Sequence, residues 1–159
     1  MKVFFMSTHP NQGTGYARVA NKITNYLANL PGIEVVYYAF QNYPDQDIKD
    51  RFIDPRIKFY DAIEIDPDSP KGFGDKGIVP TVMCEKPDVL FLYNDLPVCT
   101  MIMDMIPAQH MPPKKYVYLD IVYPWESLSY YDKLKKHNPD IIWVFLDCWK
   151  RHLVEDLQF

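Results

Sequence analysis

The sequence predicts an α/β fold, a Rossmann-like doubly wound parallel sheet, on two observations. Apolar runs rich in Val, Ile, Phe and Tyr recur along the chain, and most of them lack a strict alternation of apolar and polar residues. Continuous apolarity is typical of parallel strands that are covered on both faces. Helix-like segments separate these runs, and an alternation of strands and helices predicts a doubly wound sheet.

Each predicted element follows from a local pattern. The strand predictions are the runs "KVFFMS" (2–7), "EVVYYAF" (34–40), "DVLFLYN" (88–94), "KYVYLDIV" (115–122) and "DIIWVFLD" (140–147). One half-covered face in "IKFYDAIEI" (57–65) suggests an additional short strand. Helices are predicted over 16–30, 78–85, 96–106, 127–137 and 148–157. The segments 41–56 and 66–77 are rich in Asp, Pro and Gly, which predicts long surface loops.

Length, charge and cysteine content narrow the class of protein. A chain of 159 residues with 48% hydrophobic content is sufficient for one compact domain. The net charge is −4, so the chain lacks the broad positive field with which proteins attract nucleic acid. Cys84, Cys99 and Cys148 are widely spaced, which favours reduced thiols and a cytoplasmic location. No apolar run approaches the ~18 residues of a membrane span, so a soluble protein is expected.

Polar residues follow the predicted strands, where an open α/β sheet binds its ligands. Strand ends carry Ser7, Thr8 and His9, then Gln41 and Asn42, then Asn94 and Asp95, then Asp120, and finally Asp147. Asp95 and Asp147 precede predicted helices, which favours a role as helix N-caps. Asp120 is followed by "IVYPWE", in which Pro124 discourages an immediate helix. Asp120 is therefore predicted to be a site residue.

The loop "GTG" at residues 13–15 joins the first strand to the first helix, and such a helix start is suited to binding a phosphate. The dinucleotide fingerprint fits badly, because Arg18 stands where a small third residue belongs and strand two ends in "AFQN" without an acid. A P-loop is excluded, because no GK[ST] follows the glycines. A turn that only caps the helix explains the same residues. The loop alone leaves ligand binding and capping open.

Four segments in order carry a family resemblance: "GTGYARVANKITNYLA", "KPDVLFLYNDLPV", "YVYLDIVYPWE" and "VFLDCWKRHL". Together they resemble the N-terminal domain of a GT-B fold retaining glycosyltransferase of the family 4 type, similar to those encoded by large DNA viruses of algae. The resemblance spans nearly the whole chain. It implies that residues 1–159 form a single acceptor-side domain, that the nucleotide-sugar domain is absent from this chain, and that a viral protein would act in the host cytoplasm.

The resemblance also implies roles for individual residues. Gly13, Thr14 and Gly15 would approach the donor diphosphate, and Tyr16 would line the acceptor side. Asp120 stands where the family often places a His or an Asp, and it is the predicted catalytic residue. Asn94 and Asp95 would hold an acceptor hydroxyl. The substrates would be a nucleotide sugar and a glycan or other hydroxyl acceptor, with no metal and no further cofactor.

Other motifs receive structural interpretations. Asp66-Pro67-Asp68 matches a metal-binding Asp-x-Asp superficially, but its Pro and Gly neighbours predict a solvated loop. Met101, Ile102 and Met105 are predicted to fill the core, and His110 to lie in a loop. Lys133, Lys135 and Lys136 form a small basic face, for which weak membrane contact is the minor interpretation.

A second hypothesis remains for the whole chain: a non-catalytic, flavodoxin-like module that binds a small phosphorylated ligand. Continuation of the reading frame into a further βα domain of ~200 residues would favour the enzyme, whereas a stop codon would favour the module.

Overall fold

The computed structural model describes residues 1–46, 48, 51–121 and 128–159. Its strands are β1 (Lys2–Thr8), β2 (Glu34–Phe40), β3 (Lys58–Asp61), β4 (Val89–Asn94), β5 (Lys114–Leu119) and β6 (Ile141–Val144). Its α-helices are α1 (Gly15–Ala28), α2 (Ala62–Ile65), α3 (Asp75–Glu85), α4 (Leu96–Met105), α5 (Leu128–His137) and α6 (Asp147–Arg151). Two 3-10 turns cover Pro44–Gln46 and Ala108–His110, and a π-helical segment (His152–Asp156) follows α6.

The strands form one parallel sheet in the order β3-β2-β1-β4-β5-β6. This is the order of the doubly wound dinucleotide-binding fold, and it confirms the predicted fold class. It is not the flavodoxin-like order 2-1-3-4-5, so the fold named in the second hypothesis is wrong. The chain reverses its direction across the sheet between β1 and β4, and this switch point is where such folds open a crevice.

Both faces of the central strands are buried, as their continuous apolarity predicts. Phe4 and Met6 pack toward α3, α4 and α5, whereas Phe5 packs toward α1. All three side chains are fully inaccessible. Small residues of α1 let the helix approach the sheet closely, namely Ala17, Ala20, Thr24 and Ala28. The core thus comprises two layers, one on each face of the sheet. On the face that it packs against, α1 covers only β1, β2 and β4.

The sheet differs from the five-stranded prediction at its edges. β3 pairs in parallel with β2, so the additional strand suggested over 57–65 exists, but it ends at Asp61. Asp61 then accepts a hydrogen bond from the Ile63 amide at 2.9 Å and caps α2. β6 is shorter than the predicted run 140–147, because the chain bends at 145 and 146 before α6.

Local capping explains where several predictions fail. α3 begins at Asp75, not 78, because Gly74 takes the left-handed conformation (φ 65°) that starts the helix. Asp66 is buried, and its carboxylate accepts a bond from the Lys76 amide at 3.3 Å, so the solvated-loop prediction is wrong for Asp66. Asp68 is exposed, as predicted.

The start of α6 also differs from its prediction. Asp147 is the first helical residue, Leu146 occupies the cap position, and no side chain caps the helix. The prediction that Asp147 is an N-cap is therefore wrong, because the strand ends early and the helix starts one residue sooner. Pro124 and the rest of 122–127 lie outside the described residues, as does the first residue of the predicted helix 127–137.

The remaining structural predictions are met in part. Ile102 is buried, whereas Met101 and Met105 are half-buried against the core. His110 lies in a 3-10 turn. The three cysteines are free thiols, Cys99 buried and the other two exposed. Of the helices that the structure describes, none has the length and apolarity to cross a bilayer.

Candidate functional site

The carboxyl ends of β1, β4 and β5 bring most of the predicted site residues to one edge of the sheet. β1 leads into the Gly13–Gly15 loop, β4 ends at Asn94, and Asp120 follows β5. The Asp120 amide donates to the Asn94 carbonyl oxygen at 3.2 Å, which extends the ladder to the end of the strand. The placement of Gly13 and Asp120 on one edge is as predicted.

The glycine loop is an open helix start. Thr14 caps α1, and its hydroxyl oxygen accepts from the Ala17 amide at 3.2 Å. Gly13 and Gly15 are exposed, and a Cβ at Gly15 would meet no heavy atom within 4 Å. The amides of the first helical residues have no partner within a helix, so they can face a ligand. Arg18 is exposed on α1.

Two carboxylates and a tyrosine meet beside this loop. The Tyr16 hydroxyl lies close enough to the Asp120 carboxylate for each group to shift the pKa of the other. Burial raises the pKa of Asp120, the Asp95 charge raises it further, and the nearby Tyr16 hydroxyl opposes both. Burial also raises the pKa of Asp95, against a bond from the Val98 amide that lowers it. Both acids therefore hold protons more readily than exposed carboxylates do.

The cluster has a consistent effect on the tyrosines. Burial, and then the Asp120 charge, raise the pKa of Tyr16 far above its ordinary value. The same two causes raise the pKa of Tyr93. Both phenols stay protonated at neutral pH and act as hydrogen-bond donors.

Asn94 and Asp95 occupy different environments. Asn94 is buried, and its side-chain oxygen accepts from the Asp95 amide at 3.0 Å. Asp95 is half-buried and caps α4 through its bond to the Val98 amide at 3.1 Å, which confirms the predicted cap. Asn94 thus holds the turn between β4 and α4, while Asp95 caps α4 at the carboxyl edge of the sheet.

A second polar network lies behind the loop, and sequence reasoning missed most of it. Asp61 accepts a bond from the Asn42 side chain at 2.6 Å and lies 3.7 Å from His9 Nε2. Gln12 donates to the Asn42 oxygen at 3.3 Å, while its own buried Oε1 has no hydrogen-bond partner among the described residues. His9 Nδ1 accepts from the Asn11 amide at 3.1 Å. The network holds the residues that lead from β1 into the glycine loop.

Arg51 completes this support. Its guanidinium donates to the Pro10 and Gln12 carbonyl oxygens at 2.5 and 2.6 Å. No signal in the sequence identifies Arg51, because it lies in a segment that composition assigns to a surface loop. Its guanidinium is therefore occupied by hydrogen bonds to backbone carbonyl oxygens of the loop.

The side chains of this cluster are of types that can hydrogen-bond to hydroxyl groups. Carboxylates and tyrosine hydroxyls are hydrogen-bonding partners for a sugar, whereas the two acids repel a diphosphate bound by this domain alone. β2 is followed by Gln41 and Asn42, so the acid that holds a ribose in dinucleotide-binding folds is not at that position. Among the described residues, no group of three or more His, Cys, Asp or Glu side chains is arranged to hold a metal ion.

Comparisons with known proteins add little to this geometry. No family model and no curated protein matches the chain. Among solved structures, one similar chain is a Mesorhizobium loti protein with a proposed NADPH:quinone reductase activity, at 11% identity and a TM-score of 0.41. The match covers 98% of this chain, which spans 39% of that protein's length. A likeness at this level carries no argument about activity.

Proposed function

We propose that this domain is the acceptor-side half of a retaining glycosyltransferase, which transfers a sugar from a nucleotide-sugar donor to a hydroxyl acceptor. The observation that carries the proposal is the Tyr16–Asp120 pair, with Asp95 beside it, next to the open Gly13–Gly15 helix start. A hydroxyl-binding group and an anion-binding group thus lie at the same edge of the sheet, where folds of this order bind their ligands. The family resemblance of the sequence agrees with this division.

The roles follow from the chemistry of each group. The amides at Gly13–Gly15 donate to diphosphate oxygens, where negative charge grows as the bond from the sugar C1 to the phosphate oxygen breaks. Asp120 accepts a hydrogen bond from a sugar hydroxyl, and the nearby Tyr16 hydroxyl offers a second hydrogen-bonding group. Asp95 borders the acceptor hydroxyl. The new bond joins C1 to the acceptor oxygen, whose proton passes to the leaving phosphate.

The charges of the site are the reason we expect a second domain to take part. Arg51 bonds backbone oxygens and Arg18 faces solvent, so neither is placed to neutralise a diphosphate. Stabilising such a leaving group needs positioned cations. We therefore expect residues 1–159 alone to fold and to transfer no sugar.

A product assay tests the proposal. The chain, produced with whatever follows Phe159 in its reading frame, is incubated with a panel of nucleotide sugars and glycan acceptors. The expected result is release of the nucleoside diphosphate and a product that keeps the donor's anomeric configuration. Inversion of that configuration, or release of no diphosphate with any donor, would overturn the proposal.

A further inference from the structure

We propose that an aromatic groove beside α1 is a glycan-binding platform that holds the sugar units behind the reacting end of the acceptor. The inference rests on the proposed function and names its substrate class: an oligosaccharide, as opposed to a small alcohol. The groove has a volume of about 380 Å³ and is lined by Ile23, Leu27, Phe91, Tyr118, Trp143 and Val144.

The groove exists because α1 leaves part of the sheet uncovered. α1 packs on β1, β2 and β4, while α4 and α5 lie on the opposite face. The α1 face of β5 and β6 therefore has no helix above it among the described residues. Trp143 points to this face, where it packs on Phe91 with ring centroids 5.3 Å apart, and remains 41% exposed.

The platform is continuous with the candidate site. Tyr118 lies in β5, two residues and about 7 Å along the chain before Asp120, which follows the end of that strand. The Asp120 charge acts on Tyr16 and Tyr93, which lie on the same face of the sheet as Tyr118. Tyr118 also contacts Tyr93 at 4.8 Å between centroids, and Tyr93 contacts Tyr16 at 5.4 Å. A glycan whose end reaches Asp120 thus places its next ring over Tyr118.

The register of the sheet extends this path. Trp143 is the β6 residue paired with Tyr118, one strand farther from the site. The successive positions Asp120, Tyr118 and Trp143 offer a carboxylate and then two aromatic faces. The apolar C–H faces of pyranose rings pack on aromatic rings, while their hydroxyls remain in water or on polar groups. This order of a carboxylate followed by two aromatic faces suits the successive pyranose rings of an oligosaccharide.

An anionic membrane surface fits the groove less well than a glycan does. An anionic bilayer needs lysines or arginines beside the apolar surface, and none of the groove-lining side chains is charged. A shallow floor of tilted rings favours a sugar.

Binding of neutral oligosaccharides to residues 1–159 tests the platform. The probe is an array of neutral disaccharides to hexasaccharides, applied to the wild type and to Trp143→Ala, Trp143→Phe and Tyr118→Phe. We expect at least one oligosaccharide to bind, a loss of about tenfold in Trp143→Ala, and recovery in the two variants that keep a ring. Leu128→Ala is the matched control, because Leu128 is an exposed apolar residue of α5 on the opposite face.

Each contrary outcome overturns the platform. In the first, no oligosaccharide binds the wild type more tightly than it binds Trp143→Ala. In the second, Leu128→Ala loses as much oligosaccharide affinity as Trp143→Ala does. If the wild type floats with phosphatidylcholine–phosphatidylglycerol vesicles and Trp143→Ala does not, the face binds a membrane instead. If the wild type sediments as a dimer and Trp143→Ala does not, the face binds a second copy of the chain. Failure of the proposed function is separate. If the wild type, produced with whatever follows Phe159 in its reading frame, binds oligosaccharides but transfers no sugar to them, the transferase is refuted and the platform stands.

Discussion

The two edges of the sheet use charge in opposite ways. At the amino edge, Glu85 at the end of α3 accepts bonds from Lys2 and Tyr60 and lies 2.5 Å from the Lys58 ammonium. At the carboxyl edge, Asp95 and Asp120 share their surroundings with tyrosines, and neither has an ion-pair partner among the described residues. At the amino edge, lysines neutralise Glu85, whereas at the carboxyl edge Asp95 and Asp120 have no lysine or arginine beside them among the described residues.

The pKa directions record this difference. Burial would raise the pKa of Glu85, but bonds from Lys58, Tyr60 and Lys2 outweigh it and lower the pKa. The pKa values of Asp95 and Asp120 are raised instead. Paired charge stabilises the fold at one edge, and unpaired acid at the other edge costs stability at neutral pH. Such a cost is typical of a site that serves a ligand.

Asp120→Asn should give the largest effect. Asparagine keeps the shape of the side chain but removes its charge, so turnover by the proposed transferase should fall by about 100-fold. The melting temperature should stay within a few degrees, because a costly buried charge is lost. Activity assays and thermal unfolding measure the two effects. A loss of stability as large as the loss of activity would show that Asp120 is structural.

Glu85→Gln should destabilise the fold without touching the site. Removing the carboxylate leaves Lys2 and Lys58 without their shared partner, and we expect a loss of about 2 kcal/mol in the free energy of unfolding. The folded pKa of Glu85 lies below its ordinary value of 4.5, so its contribution is present above pH 4.5 and is lost as the pH falls through the folded value. The difference between variant and wild type, measured in urea, should therefore vanish in acid. A difference that persists there would contradict the ion-pair account.

Gly15→Val should lower turnover by at least about tenfold and leave the fold intact, because the side chain would occupy the approach to the helix-start amides. A Cβ at this position meets nothing within 4 Å, so the fold itself has room for it. Gly15→Ala is the matched control, which should stabilise the helix by about 0.5 kcal/mol. Unchanged turnover in Gly15→Val would reduce the loop to a helix cap.

Asp95→Asn should give the smallest effect. Asparagine is an equally good N-cap, so the stability should change by less than about 1 kcal/mol. Removing the Asp95 charge lowers the pKa of Asp120, so the acidic limb of the pH–turnover profile should move to lower pH. Because the folded pKa of Asp95 is raised, any gain in stability should appear at neutral pH and disappear below its ordinary value of 3.8. An acidic limb that stays in place would show that the two acids do not interact.

The sequence alone determined the class of fold and the edge that carries the site. Runs such as "KVFFMS" and "EVVYYAF" are apolar at successive positions, and only a strand buried on both faces requires that. Once the strands are parallel, their carboxyl ends must lie on one edge, which brings Gly13, Asn94 and Asp120 together. Thr14 and Asp95 were recognisable as caps because capping is a local interaction.

The tertiary structure decided which of those residues touch and what supports them. Three contacts join residues that are far apart in sequence. They are the proximity of Tyr16 to Asp120, the contact of Asp61 with His9, and the hydrogen bonds of Arg51 to the loop. Their distances depend on sheet order and register, which no local pattern encodes. The exposure of Trp143 is also a property of the packed chain, because it arises where α1 no longer covers the sheet. Local chemistry selects caps and strands, whereas the electrostatic partners of a buried acid arise only when the chain is packed.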